Sequence, residues 1–229
     1  MPFLFYDPTF LLLIPALLFA MYAQSKVQTT FRKYLRVPAR LGQTGAEVAR
    51  SILDRAGLHD IPVEPIQRSL GDHYDPKKRA VRLSPEVYNG RSLASLSVAA
   101  HETGHALQHA QAYAPLTLRS SLFPVASIGS TAAFPLFFLG LLANFEPLMT
   151  IGIYFFLAAL LFQVVTLPVE FNASSRAMRL LTTGGYLAND ETHGAKAVLK
   201  AAALTYVAAT AMALTQLIRL LVLRGMARD

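Results

Sequence analysis

The chain has no cysteine, only 14 acidic residues in 229, and long stretches without any charge. The missing cysteine excludes disulfides and fits a reducing compartment, although many exported proteins lack it too. The missing charge is more informative because it is uneven. Leu122 to Ala143 and Leu148 to Val169 carry no Asp, Glu, Lys or Arg, and each has about the 20 residues that a bilayer core requires. Phe10 to Ala23 is a shorter first candidate span, and Ala201 to Leu223 a fourth, interrupted by Arg219. With 53% hydrophobic residues, 15% charged residues and a mean hydropathy of +0.38, the composition is that of a multi-pass membrane protein.

No Lys or Arg precedes Phe10, so the first span lacks the positive n-region of a cleaved signal peptide and reads as an uncleaved anchor. Lys26, Arg32, Lys33, Arg36 and Arg40 follow that span, and Arg176, Arg179, Lys196 and Lys200 follow the third. The positive-inside rule then puts these flanks in the cytoplasm and the short Asn144 to Pro147 loop, with only Glu146, outside. Arg219, Arg224 and Arg228 oppose this if the fourth helix spans, so that helix is expected to end at the interface or to pack against the others. The net charge of +7 suits contact with anionic lipid headgroups. No nucleic-acid motif or aromatic-basic surface pattern is present, and that partner class is not expected.

What the chain does have is H-E-T-G-H, His101 to His105, inside the helix-forming stretch Ser92 to Ala112. Residues four apart on a helix share one face about 6 Å apart, so two imidazoles can hold one zinc while Glu102 reaches its water. This predicts His101 and His105 as metal ligands and Glu102 as general base, in a metal-assisted amide hydrolysis. Leu93, Leu96, Ala100, Gly104 and Leu107 recur at helical spacing, Ser92 is a candidate N-cap, and small residues around the motif leave room for a metal and close neighbours. His109 lies about 12 Å along the helix from His101 and cannot share its ion. Gln108 and Gln111 stand where a metzincin extension needs Gly and His, which excludes that class.

A third ligand is needed, and Glu170 is the only acid between Glu146 and Asp190. A glutamate from a later helix is the third ligand in two-His, one-Glu sites of the thermolysin type, and two spans between the motif and Glu170 return the chain to the side from which it left. The competing reading is an interfacial carboxylate paired with Arg176 or Arg179. Candidates for the oxyanion donor are His193, Tyr206 and Arg176, with His193 favoured by analogy to a later histidine in thermolysin-like sites.

Between the first span and the motif the chain reads as α+β: a helix capped by Thr44 and running to Ala56, an extended Ile61 to Ile66, a turn within His73 to Arg79, and a short strand Ala80 to Leu83. Ala80, Val81, Arg82 and Leu83 are expected to form an edge strand on which a peptide substrate is laid, or else an ordinary edge guarded by Arg79 and Arg82. His73, Asp75 and His59 are read as turn and helix-end residues. The expected organisation is an N-terminal anchor (1–25), a soluble α+β segment ending in the motif helix (26–120), a transmembrane hairpin (121–169), and a third-ligand helix continuing into a C-terminal membrane helix (170–229).

The set DHYDPKKRAVRLSPEVYNGRSLASLSVAAHETGHALQHA, two spans, VEFNASSRA and AKAVLKAAALTYVAA resembles the YugP-like neutral zinc metallopeptidases of bacterial membranes over nearly the whole chain. The resemblance implies one zinc held by His101, His105 and Glu170, Glu102 as catalytic acid and base, a polypeptide substrate and the bacterial inner membrane. The fold it implies is a mainly α membrane protein with a small α+β cytoplasmic part, about four transmembrane helices and a gluzincin-like motif helix. A more distant similarity to the HtpX-like and CAAX prenyl proteases rests on E-F-x-A-D. Glu170, Phe171 and Ala173 match, but Ser174 replaces the aspartate, which leaves Ser174 or Asn172 to orient a ligand imidazole. The alternative function is a membrane scaffold or chaperone-like protein with a structural or vestigial metal site.

Overall fold

The structure, a computed structural model, describes residues 8–227; Arg228 lies outside the described residues. Its helices are α1 (Ile14–Leu35, preceded by a 3-10 turn Pro8–Leu13), α2 (Gly45–Arg55), α3 (Pro85–Tyr88), α4 (Leu93–Ala110), α5 (Ala114–Leu142), α6 (Glu146–Thr183) and α7 (Thr192–Met226). Three strands, β1 (Val63–Pro65), β2 (His73–Asp75) and β3 (Ala80–Leu83), complete the fold. Four helical stretches, Pro8–Leu35, Ala114–Leu142, Glu146–Thr183 and Asn189–Met226, are long and apolar enough to cross a membrane. The chain divides into two compact units.

The first unit comprises Met1–Gln24, Leu118–Leu167 and Thr205–Asp229. Here α5 and α6 form the expected antiparallel hairpin, turning through Ala143, Asn144 and Phe145. The hairpin closes tightly because Gly152 has no side chain: a Cβ there would fall 2.7 Å from the backbone nitrogen of Phe137. Small residues allow such approach where lipid provides no hydrophobic drive between helices. Phe137, fully buried, centres a cluster with Ala133, Met149, Ile153, Phe156 and Leu220. Arg219 donates from Nε to Oγ1 of Thr9 (3.2 Å) and lies over the Phe10 ring, and Arg224 donates to Oγ1 of Thr150. Both arginines are therefore engaged by neighbouring helical segments, while α7 itself continues unbroken to Met226.

The second unit comprises Ser25–Thr117 and Pro168–Leu204. Helix α2 starts where expected: Thr44 Oγ1 accepts from the Glu47 N–H, and the Glu47 carboxylate accepts from the Thr44 N–H, a reciprocal cap that satisfies two orphan donors. Val48 and Ile52 pack with Leu93, Leu96 and Leu181, while Leu53 joins Ile61, Val81, Leu83 and Ala99. The sheet order is β1-β3-β2, with β1 parallel and β2 antiparallel to β3.

That order corrects one expectation. Ala80, Val81, Arg82 and Leu83 are a strand, but the central one: Val81 pairs with Val63 on one side and Tyr74 on the other, and Arg82 with Glu64 and His73. With a strand paired on each side, β3 offers no open edge on which to lay a peptide. Nor does it need guarding as an edge; Arg82 instead bridges its neighbours, donating to Glu64 (3.1 Å) and Asp75 (3.0 Å). Local alternation identifies a strand, but strand order is a long-range property that periodicity does not carry.

Candidate metal centre

Helix α4 begins at Ser92, whose hydroxyl accepts from the Ser95 N–H, and it is buried on nearly every face from Leu93 to Gln108. A polar side chain inside such a helix must be paired or coordinated. His101, Glu102 and His105 are all buried, and so is Glu170 at 2% exposure. Helix α6 delivers Glu170 two residues after Pro168, a residue that cannot donate to the helical ladder.

The four groups are arranged as the motif predicts. Oε2 of Glu170 lies 3.3 Å from Nε2 of His101 and 3.5 Å from Nε2 of His105. The three ligand atoms all fall within 4.8 Å of one another, and they form the one such His/Cys/Asp/Glu group among the described residues. A tetrahedral zinc with bonds of about 2.0–2.1 Å has ligand atoms about 3.3 Å apart, so the donor set fits a single zinc. Electrostatics favour a cation too. Burial lowers the affinity of His105 for a proton, but its bond to Glu170 and the charges of Glu102 and Glu170 outweigh this and raise its pKa above the ordinary imidazole value.

Both ligand imidazoles are held through their outer nitrogens. Ser174 Oγ lies 3.3 Å from Nδ1 of His101. Nδ1 of His105 donates to Oε1 of Gln108 at 3.0 Å, which leaves Nε2 as the lone-pair nitrogen. Asn172 does not touch an imidazole; its Oδ1 accepts from Gln108 Nε2 and from Arg176 Nε. Arg176 also reaches Gln111, so the pairing of Glu170 with Arg176 or Arg179 gives way to pairing with the two histidines.

Glu102 is anchored apart from the ligands. Its Oε2 accepts from the backbone N–H of Tyr74 on β2 at 3.1 Å. Asp72, just before that strand, accepts from the N–H and the hydroxyl of Ser84. Burial pushes the Asp72 carboxyl up, its bonds from Ser84 oppose this, and the charge of Glu102 adds to the rise. The Tyr74 hydroxyl and His109 Nδ1 share a 2.8 Å hydrogen bond, and His109 is not part of the His101–His105–Glu170 group, as its helical offset from His101 requires. His193 is exposed at the start of α7, and the adjoining Gly194 packs on Leu93, about 12 Å along α4 from His101. His193 is not part of the His101–His105–Glu170 group.

Three contributors escaped sequence reasoning: Gln108, Tyr74 and Asp72. The first was legible, since it stands three residues after His105 on the same helical face. Tyr74 and Asp72 had no local signal: the Tyr74 N–H meets Glu102 only through the place of β2 in the sheet, and Asp72, bonded to Ser84, senses only the Glu102 charge.

The family described as "Putative neutral zinc metallopeptidase" matches residues 9–225. The chain belongs to this family. It is also similar to the "Putative membrane protease YugP" of Bacillus subtilis (strain 168), 50% identical over 218 residues that cover 95% of this chain and 97% of that protein. No solved structure matches. Membership in the neutral zinc metallopeptidases, four apolar helices of membrane-crossing length and the buried His101–His105–Glu170 group together make the chain a membrane metallopeptidase.

Proposed function

We propose that the chain is a zinc-dependent endopeptidase that hydrolyses peptide bonds of membrane or membrane-proximal proteins, holding one zinc per chain through His101, His105 and Glu170. The observation that carries this reading is the placement of Glu170 Oε2 at about the edge length of a tetrahedral zinc from Nε2 of both His101 and His105, beside a separately anchored Glu102. Bound there, zinc supplies Lewis acidity that acidifies a water and polarises the scissile carbonyl.

The residues do the rest. Tyr74 N–H keeps the Glu102 carboxylate on the β2 side, where it takes the proton of the attacking water and returns it to the leaving amine nitrogen. Ser174 orients His101. A structural zinc would be closed by four protein ligands, whereas the group among the described residues supplies three, and this supports catalysis over a scaffold role. Glu170 follows the apolar run Leu148–Val169 on the same continuous helix, which favours substrates cut close to the bilayer surface. The Lys and Arg flanks of the first and third spans favour a cytoplasm-facing site.

The test is cleavage of an unfolded protein by the full chain in detergent, with metal content measured alongside. Glu102→Gln is expected to retain zinc and lose activity by about 10²-fold or more. Equal activity in the variant and the wild type would overturn the assignment.

A further inference from the structure

Gln108 is fully buried and uses both ends of its amide. Its Oε1 accepts from Nδ1 of His105. Its Nε2 donates to the carbonyl oxygen of Val169 (2.8 Å) and to Oδ1 of Asn172 (3.0 Å). Val169 immediately precedes Glu170, so one side chain on α4 touches a ligand of its own helix and the backbone beside the ligand contributed by α6. The ring of bonds then closes, because Arg176 bonds Asn172 on α6 and Gln111 at the end of α4.

We infer that Gln108 is a positioning residue that sets two of the three metal ligands at once: it fixes the His105 tautomer and registers the Glu170 backbone against α4. The amide is suited to this in a way that no other side chain of its size is. A carboxylate would accept from His105 but repel the Val169 carbonyl, and a hydrocarbon would leave both the imidazole N–H and that carbonyl buried without partners. Because the amide is neutral, it orients His105 without adding the negative charge that a carboxylate partner would bring. The inference rests on the reading of His105 and Glu170 as zinc ligands.

The experiment measures zinc affinity by competition with a chelator, and the visible spectrum after cobalt substitution, for the full chain in detergent. Gln108→Met is expected to bind zinc about 10- to 100-fold more weakly and to shift the cobalt bands, with Gln108→Glu recovering part of the affinity because the acceptor for His105 is restored. Asn172→Leu removes only one anchor of the amide at a half-buried position and is expected to weaken zinc binding a few-fold with the fold intact. Leu181→Ala, a core truncation in the same unit, controls for destabilisation and should leave the cobalt spectrum unchanged. If Gln108→Met folds with wild-type affinity and spectrum, if Gln108→Glu binds no better than Gln108→Met, or if Asn172→Leu leaves both readouts unchanged, the inference is wrong. A wild-type chain that binds no zinc would instead sink the metal assignment itself.

Discussion

A Cβ built on Gly104 would lie 3.0 Å from the carbonyl oxygen of Ala173, so α4 and α6 meet at this point through a helix without a side chain. Gly104 directly precedes His105, and Ala173 is three residues beyond Glu170. The cost of a glycine inside a helix, about 1 kcal/mol, is therefore tied to the approach that brings the carboxylate to the imidazoles.

Gly104→Val should force that approach apart. Since the atom it meets is backbone and cannot rotate away, a destabilisation of about 1–3 kcal/mol is expected, together with loss of zinc. Thermal unfolding and metal content check this; a stable, zinc-replete variant would show that the contact does not set the ligand spacing.

Glu170→Gln and His109→Ala separate ligand from neighbour. The first removes the anionic donor shared by His101 and His105 and should lower zinc affinity by at least about tenfold. The second breaks the bond to the Tyr74 hydroxyl at an exposed position and should leave zinc occupancy unchanged. Titration with a competing chelator would expose the reverse order, and with it a wrong ligand set.

Asp72 makes the zinc-free protein pH-sensitive in a defined direction. Its carboxyl is raised in the folded state, first by burial, so between about pH 3.9 and its folded pKa the native state binds more protons than the unfolded chain. Its contribution to stability therefore falls as pH rises through that window and is constant above it. Asp72→Asn should flatten this part of the stability profile of the zinc-free chain, read as the difference in unfolding temperature between variant and wild type across pH. A difference that is independent of pH would remove Asp72 as the cause.

The absence of cysteine makes topology directly testable. Ala143→Cys, in the exposed turn between α5 and α6, should react with an impermeant maleimide added to intact cells. Lys77→Cys, in the exposed turn after β2, should react only after lysis. The opposite pattern would invert the proposed orientation.

Much of the site was legible because its signals are local. His101, Glu102 and His105 lie within one and a half helical turns, where spacing alone dictates which side chains share a face. The capped start of α2 and the uncharged runs of the hairpin are equally short-range. Glu170 needed more, namely a count of the apolar helices between it and the motif, and two of them, folded back as the α5–α6 hairpin, return the chain toward its starting side.

What the amino-acid sequence determined by itself was thus the type of most elements and the chemistry carried by the motif, both set by periodicity and side-chain type over a few residues; His73–Asp75, read as part of a turn, is strand β2 because it pairs with β3, a partner its own sequence does not specify. Tertiary structure alone decided that β3 is flanked on both edges, that the Tyr74 N–H holds Glu102, and that Gln108 links His105 to α6. The reason is that each of these depends on which of several chemically acceptable partners ends up nearest. Packing makes that choice through contacts between residues far apart in the chain, such as the 69 positions separating His101 from Glu170.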